Sequence, residues 1–120
     1  MTDSIDHPSH YAQKVLGREP IDVAQWQKFC TGNVIKYLWR YPYKGKPLED
    51  LQKARWYARR AAADRETVET RFGDCDGLLF NLARSSTGFE SVAWKGLYES
   101  DWQMVIEALD QMIERLEEGE

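Results

Sequence analysis

Apolar residues recur along most of this chain at the spacing of a helix, and strand-like alternation is absent. Val34, Ile35, Leu38 and Trp39 form one stripe, which Asn33 is placed to cap and which Pro42 must end. Before it, Ile21, Val23, Trp26, Phe29 and Cys30 fall at near-helical spacing until Gly32 interrupts them. A further helix opens at Pro47, with Glu49 and Asp50 suited to the positive end of its dipole. Its stripe runs through Leu48, Leu51, Ala54, Ala58, Ala61 and Ala62, and the pattern predicts a helix reaching the 65–71 region. Gly73 and Gly77 break the periodicity, Leu78 to Leu82 make a short apolar stretch that suits a helix better than a strand, and 85–88 reads as a loop. The last helix is the clearest. Ser100 to Gln103 has the form of a capping box, followed by Trp102, Val105, Ile106, Leu109, Met112, Ile113 and Leu116 on one face. The expected architecture is all-α, a small helical bundle preceded by an irregular N-terminal arm over residues 1–20.

Length changes this picture little: 120 residues make one domain's worth of core. Charge changes it more. Residues 1–62 hold 11 Lys/Arg against 6 Asp/Glu, a balance of +5, whereas residues 63–120 hold 5 against 14, a balance of −9. The chain therefore divides into a basic, aromatic 1–62 region and an acidic helical 63–120 region, expected to pack as one domain. The split suits an anion met by the first half, or basic and acidic surfaces of neighbouring subunits meeting each other. The overall acidic balance argues against a broad duplex-binding surface. With no apolar run long enough for a membrane span and no basic-then-apolar leader, a cytoplasmic protein without a membrane partner is expected. Cys30 and Cys75 are too far apart and too few for a zinc motif and are expected to be buried free thiols.

Candidate chemistry gathers in the basic half. Lys36 and Arg40 stand one helical turn apart, Lys44 and Lys46 follow the Tyr41-Pro42-Tyr43 bend, and Tyr37, Trp39, Tyr41 and Tyr43 are interleaved with them. A guanidinium fork and mobile ammonium groups suit phosphate, and rings beside them suit a base. Lys53, Tyr57 and Arg60 share one side of the next helix, and Arg55, Trp56 and Arg59 another. His7 and His10, three apart across Pro8, have intrinsic pKa values suited to acid–base catalysis, the plainer role being to order the arm. As a metal pair they lack a third ligand, and Glu107, Asp110 and Glu114 on one helical face suit solvent better than magnesium, so no metal site is expected. There is no P-loop, no dinucleotide fingerprint and no nucleophile elbow.

The string His7-Pro8-Ser9-His10-Tyr11, then Ile21-Asp22, then Gly32-Asn33-Val34-Ile35-Lys36-Tyr37-Leu38 with Arg40, then Lys44 and Leu48 to Tyr57, resembles a set of small bacteriophage proteins. That family is the domain of unknown function 3310, also called SaV-like, and the resemblance covers about residues 6–60. A phage nucleotide kinase that acts on deoxynucleoside monophosphates without a P-loop is similar to it. The resemblance implies a phage-encoded nucleotide-binding protein, in its enzymatic form a nucleoside monophosphate kinase. Over the matching positions it implies Tyr11, Asn33, Lys36, Tyr37, Arg40, Lys44, Lys53 and Tyr57 as the ligand-binding set, and His7 and His10, which also match the motif, are the candidate catalytic pair on their acid–base chemistry. The alternative is a non-enzymatic accessory protein that sequesters a nucleotide signal or inhibits a host protein. No cofactor is specified, and a homo-oligomer is expected, because short helices draw their stability from packing and five tryptophans need burial.

Overall fold

The computed structural model describes residues 17–119, and among these there are six α-helices and no strand. They are α1 (Pro20–Ala24), α2 (Phe29–Arg40), α3 (Pro47–Ala63), α4 (Cys75–Ser85), α5 (Gly88–Tyr98) and α6 (Trp102–Gly119). The all-α expectation holds; residues 1–16 of the expected arm lie outside the described residues. Neighbouring helices pack in the order α1, α2, α3, α6, α5, α4, and α4 returns to touch α1. One hydrophobic cluster collects side chains from all six, with Val23, Ile35, Leu51, Leu79, Trp94 and Leu109 fully buried. Trp39 and Trp94 meet edge to face in it at 6.2 Å. No helix of the described residues is long and apolar enough to cross a membrane.

Several boundaries differ from those the periodicity suggests, each for a local reason. Gly32 does not interrupt a helix but lies inside α2, where a Cβ would stand 3.2 Å from the Ala24 carbonyl oxygen. It lets α1 and α2 approach closely, at the usual cost of glycine in a helix. Asn33 is therefore no cap: its amide donates to the Phe29 carbonyl one turn back at 2.9 Å. The true cap of α2 comes from 35 residues away, where Glu66 Oε1 accepts Thr31 N–H at 2.9 Å and Thr31 Oγ1 at 2.6 Å. Helix α3 stops at Ala63, short of the expected 65–71 region. Arg65 turns left-handed at φ 56°, and Glu66 N–H reaches back to the Ala61 carbonyl, a Schellman ending without glycine. Ser100 ends α5 in the same way at φ 54°, so Asp101 takes over the cap of α6 and accepts Met104 N–H at 3.1 Å. Helix α5 itself, not singled out by the sequence pattern, spans much of the gap between the 85–88 loop and α6.

The irregular stretch 64–74 has no ladder or helix to satisfy its backbone, and side chains from elsewhere do it instead. Gln27 donates to the Glu69 carbonyl at 2.8 Å and accepts Glu69 N–H at 2.7 Å. Val68 N–H is taken by Ser100 Oγ, the Glu66 carbonyl by Trp102 Nε1 at 2.7 Å, and the Gly73 carbonyl by Arg18. Both cysteines are free and buried as expected, and burial pushes each thiol above its ordinary value.

The α5–α6 contact is the tightest test of this packing. A Cβ on Gly96 would lie 2.7 Å from Val105 Cγ2 and 3.0 Å from Val105 N. Gly96→Ala is expected to lower stability by about 1–3 kcal/mol in urea unfolding despite alanine's better helix propensity. An unchanged or raised midpoint would show that the two helices are not in this contact.

Candidate functional site

The α2–α3 pair forms the site's framework, and its register is fixed by one buried ion pair. Asp50, in the first turn of α3, is only 1% exposed. Its Oδ2 accepts Arg40 Nε at 3.2 Å, from the last turn of α2. Each charge also sits at the helix end whose dipole favours it. With α2 and α3 held so, Tyr37 stacks on Tyr57 with centroids 6.1 Å apart and planes 9° from parallel.

Three cations surround the Tyr37 ring. Lys36 Nζ lies 4.5 Å from its centroid, Lys53 Nζ 5.4 Å and the Arg40 guanidinium carbon 5.7 Å, all within the range of a cation–π contact. Glu49 is the second acid here and meets Lys53 at 3.1 Å across one turn of α3. That contact pulls the Glu49 carboxyl below its usual value and raises the Lys53 ammonium above its own. Both groups are exposed, so the pair adds little stability. Beyond the cations, Tyr57 meets Phe29 edge-on at 5.9 Å and Trp56 at 5.1 Å. Phe29 is 73% and Trp56 59% exposed, an aromatic shelf open to solvent beside three positive charges.

Of the sequence-predicted residues, the structure brings Lys36, Tyr37, Arg40, Lys53 and Tyr57 together. Asn33 is on the same helix, with its amide turned to the Phe29 carbonyl, and Lys44 lies half-buried in the turn after α2. His7, His10 and Tyr11 lie outside the described residues. Sequence reasoning missed the roles of Asp50, Phe29 and Trp56. A signal existed for the first, since Asp50 continues the small-residue ridge Ala54, Ala58, Ala61 at helical spacing, which places it on the buried face.

Other charged clusters have evident structural uses. Cys30, Asp64 and Glu66 bring one ligand atom each within 4.8 Å of one another. Glu66 already caps α2, Asp64 already holds Arg60 at 3.1 Å, and both acids help raise the Cys30 thiol. Asp110 of α6 receives Arg55 at 3.0 Å and Arg59 at 3.7 Å, so part of the basic–acidic split is met within the chain.

Residues 5–59 match a family model described as a protein of unknown function (DUF3310). Over this stretch, a little under half of its length, the chain is similar to that family. The match bears out the family resemblance carried by the motifs. It ends inside α3 and contains every residue of the cation–aromatic cluster, while α4 to α6 lie beyond it. No curated protein and no solved structure matches the chain.

The buried pair makes Arg40 a structural residue of the α2–α3 framework. Arg40→Ala leaves Asp50 desolvated without a counter-charge and is expected to cost about 3 kcal/mol of stability. Adding Asp50→Asn should recover part of that loss. Thermal or urea melts of the two single variants and the double variant measure it, and additive losses would show that the two groups do not interact.

Proposed function

We propose that the α2–α3 cluster binds a nucleotide or similar phosphorylated small molecule, and that the protein is a phage-encoded nucleotide-binding protein. The observation that carries this reading is the convergence of Lys36, Arg40 and Lys53 on the Tyr37 ring beside an open aromatic shelf. Lys36 and Lys53 are the phosphate contacts. Arg40 is held by Asp50 and adds field rather than a mobile grip. Phosphate displaces Glu49 from Lys53, an exposed pair that gives way cheaply. Trp56 and Phe29 offer the ring faces on which a base stacks.

If the site is catalytic, it is a nucleoside monophosphate kinase without a P-loop, in which positioning and charge neutralisation do most of the work and His7 or His10 handles the proton. The competing reading, a protein of the host cytoplasm that sequesters a nucleotide or blocks a host protein, draws support from the described cluster itself. Its two acids are already paired to cations, which suits holding a ligand better than abstracting a proton. Self-association belongs to the proposal as well, through aromatics the chain leaves exposed, such as Trp26, Phe72 and Phe80. A light-scattering mass near 14.0 kDa would reject it.

Calorimetric titration with deoxynucleoside monophosphates and cyclic nucleotides, followed by a phosphate-transfer assay with ATP, separates these readings. Turnover favours the kinase, binding alone favours sequestration, and no binding ends both. Lys36→Ala and Lys53→Ala are each expected to weaken binding by about tenfold or more, the worth of a charge-assisted contact. Arg115→Ala, on α6, should leave affinity unchanged; equal losses in all three folded variants would refute this placement.

A further inference from the structure

At the opposite end of the α2–α3 pair from Arg40 and Asp50, three side chains with metal-ligand chemistry converge. Cys30 is the second residue of α2, Asp64 follows the last residue of α3, and Glu66 comes just after the left-handed turn at Arg65. One sulfur and two carboxylate oxygens, one atom from each residue, lie within 4.8 Å of one another. Cys30 is only 8% exposed, and outside this cluster its sulfur has no hydrogen-bond partner among the described residues. The other buried thiol, Cys75, differs: it accepts from Gln27 Nε2 at 3.8 Å and donates to the Val23 carbonyl at 3.9 Å. The structural contacts of the two acids leave them able to bind more. Glu66 uses Oε1 for Thr31 and Asp64 uses Oδ2 for Arg60, so each carboxylate keeps a second oxygen that these contacts do not take.

One sulfur with two carboxylates is a donor set for a borderline cation. Magnesium and calcium take oxygen ligands and copper(I) favours sulfur, whereas zinc accepts both. Ligand atoms on a tetrahedral zinc stand about 3.5 Å apart, so side-chain rotations at the exposed Asp64 and half-buried Glu66 need close the cluster by only about 1 Å. The thiol releases its proton to solvent as the metal–sulfur bond forms, and water takes the fourth position. Charge favours the ion: two carboxylates and a thiolate face it, and the C-terminal end of α3 adds its dipole. Arg60 and the N-terminal end of α2 oppose it, with one full charge and one partial charge against three. Thr31 and Arg60 serve as the outer contacts that orient the two carboxylates.

We propose that Cys30, Asp64 and Glu66 form a zinc site with an open fourth position, which clamps the start of α2 to the end of α3. The site is independent of the cluster around Tyr37 and of whether a nucleotide binds there. Cobalt(II) is the probe, because it adopts the tetrahedral geometry of zinc and reports a bound thiolate by charge-transfer absorption in the near ultraviolet. Titrating the full chain with cobalt under a non-thiol reductant should give a saturable, one-to-one charge-transfer band that equimolar zinc removes and millimolar magnesium does not. The need for sulfur separates this site from adventitious coordination by His7 and His10. Cys30→Ser should abolish the band, and Cys75→Ala should leave it. Asp64→Asn, a change at an exposed position, should weaken cobalt at least about tenfold with helicity unchanged. This last variant carries the test should Cys30→Ser fail to fold. No charge-transfer band, a band that follows Cys75 rather than Cys30, or undiminished cobalt affinity in folded Asp64→Asn would overturn the proposal.

Discussion

A carboxylate that folding removes from water must be met by a cation, and Asp50 is that carboxylate here. Its partner Arg40 is ten residues earlier, on the other side of the turn joining α2 to α3, so the pair forms only in one register of the two helices. That register also places Tyr37 on Tyr57 and brings Lys53 of α3 over the ring that Lys36 and Arg40 approach from α2. The pair adds modestly to stability once its desolvation is counted; what it supplies is specificity of packing, since sliding either helix by a turn strands a buried charge. A surface that looks like a collection of basic residues is thus the outer consequence of one inner contact.

The C-terminal half holds this framework from outside. Glu66, in the stretch after α3, caps the start of α2, while Trp102 at the start of α6 is tied to the Glu66 carbonyl. Asp110 of α6 receives Arg55 and Arg59 on the face of α3 away from Lys53. Part of the negative charge that sets residues 63–120 apart from the basic half therefore has structural work at α3 and α2. Among the described residues, Lys53 pairs with Glu49 and Arg40 with Asp50, all within the α2–α3 segment.

How far this was legible in sequence depended on whether a feature is local. The stripes of α2, α3 and α6 follow from spacing alone; the ligand candidates Lys36, Tyr37, Arg40, Lys53 and Tyr57 rest on the basic–aromatic clustering together with the family resemblance, and adjacent helices bring them together once their register is set. Features that depend on distant partners were not legible. Gly32 reads as a breaker until Ala24 is seen packed against it, and Asn33 reads as a cap until Glu66 is seen in that role. Arg65 and Ser100 end helices with a left-handed turn that sequence normally assigns to glycine, which explains both the overlong α3 and the cap displaced from Ser100 to Asp101. Phe29 fits an apolar stripe on paper, but the break at residues 25–28 rotates it out to solvent, where it joins Trp56 in the shelf.

The central claim is that the surface around Tyr37 is where an anionic ligand with a planar group lands. The most direct measurement is a two-dimensional ¹H–¹⁵N spectrum of the labelled chain titrated with thymidine 5′-monophosphate, with the five indole N–H signals assigned. The account predicts saturable shifts of the Lys36, Tyr37 and Lys53 amides and of the Trp56 indole, with the Trp94 and Trp102 indoles of the core unmoved. Shifts confined to α4 to α6, or none at millimolar nucleotide, would contradict it.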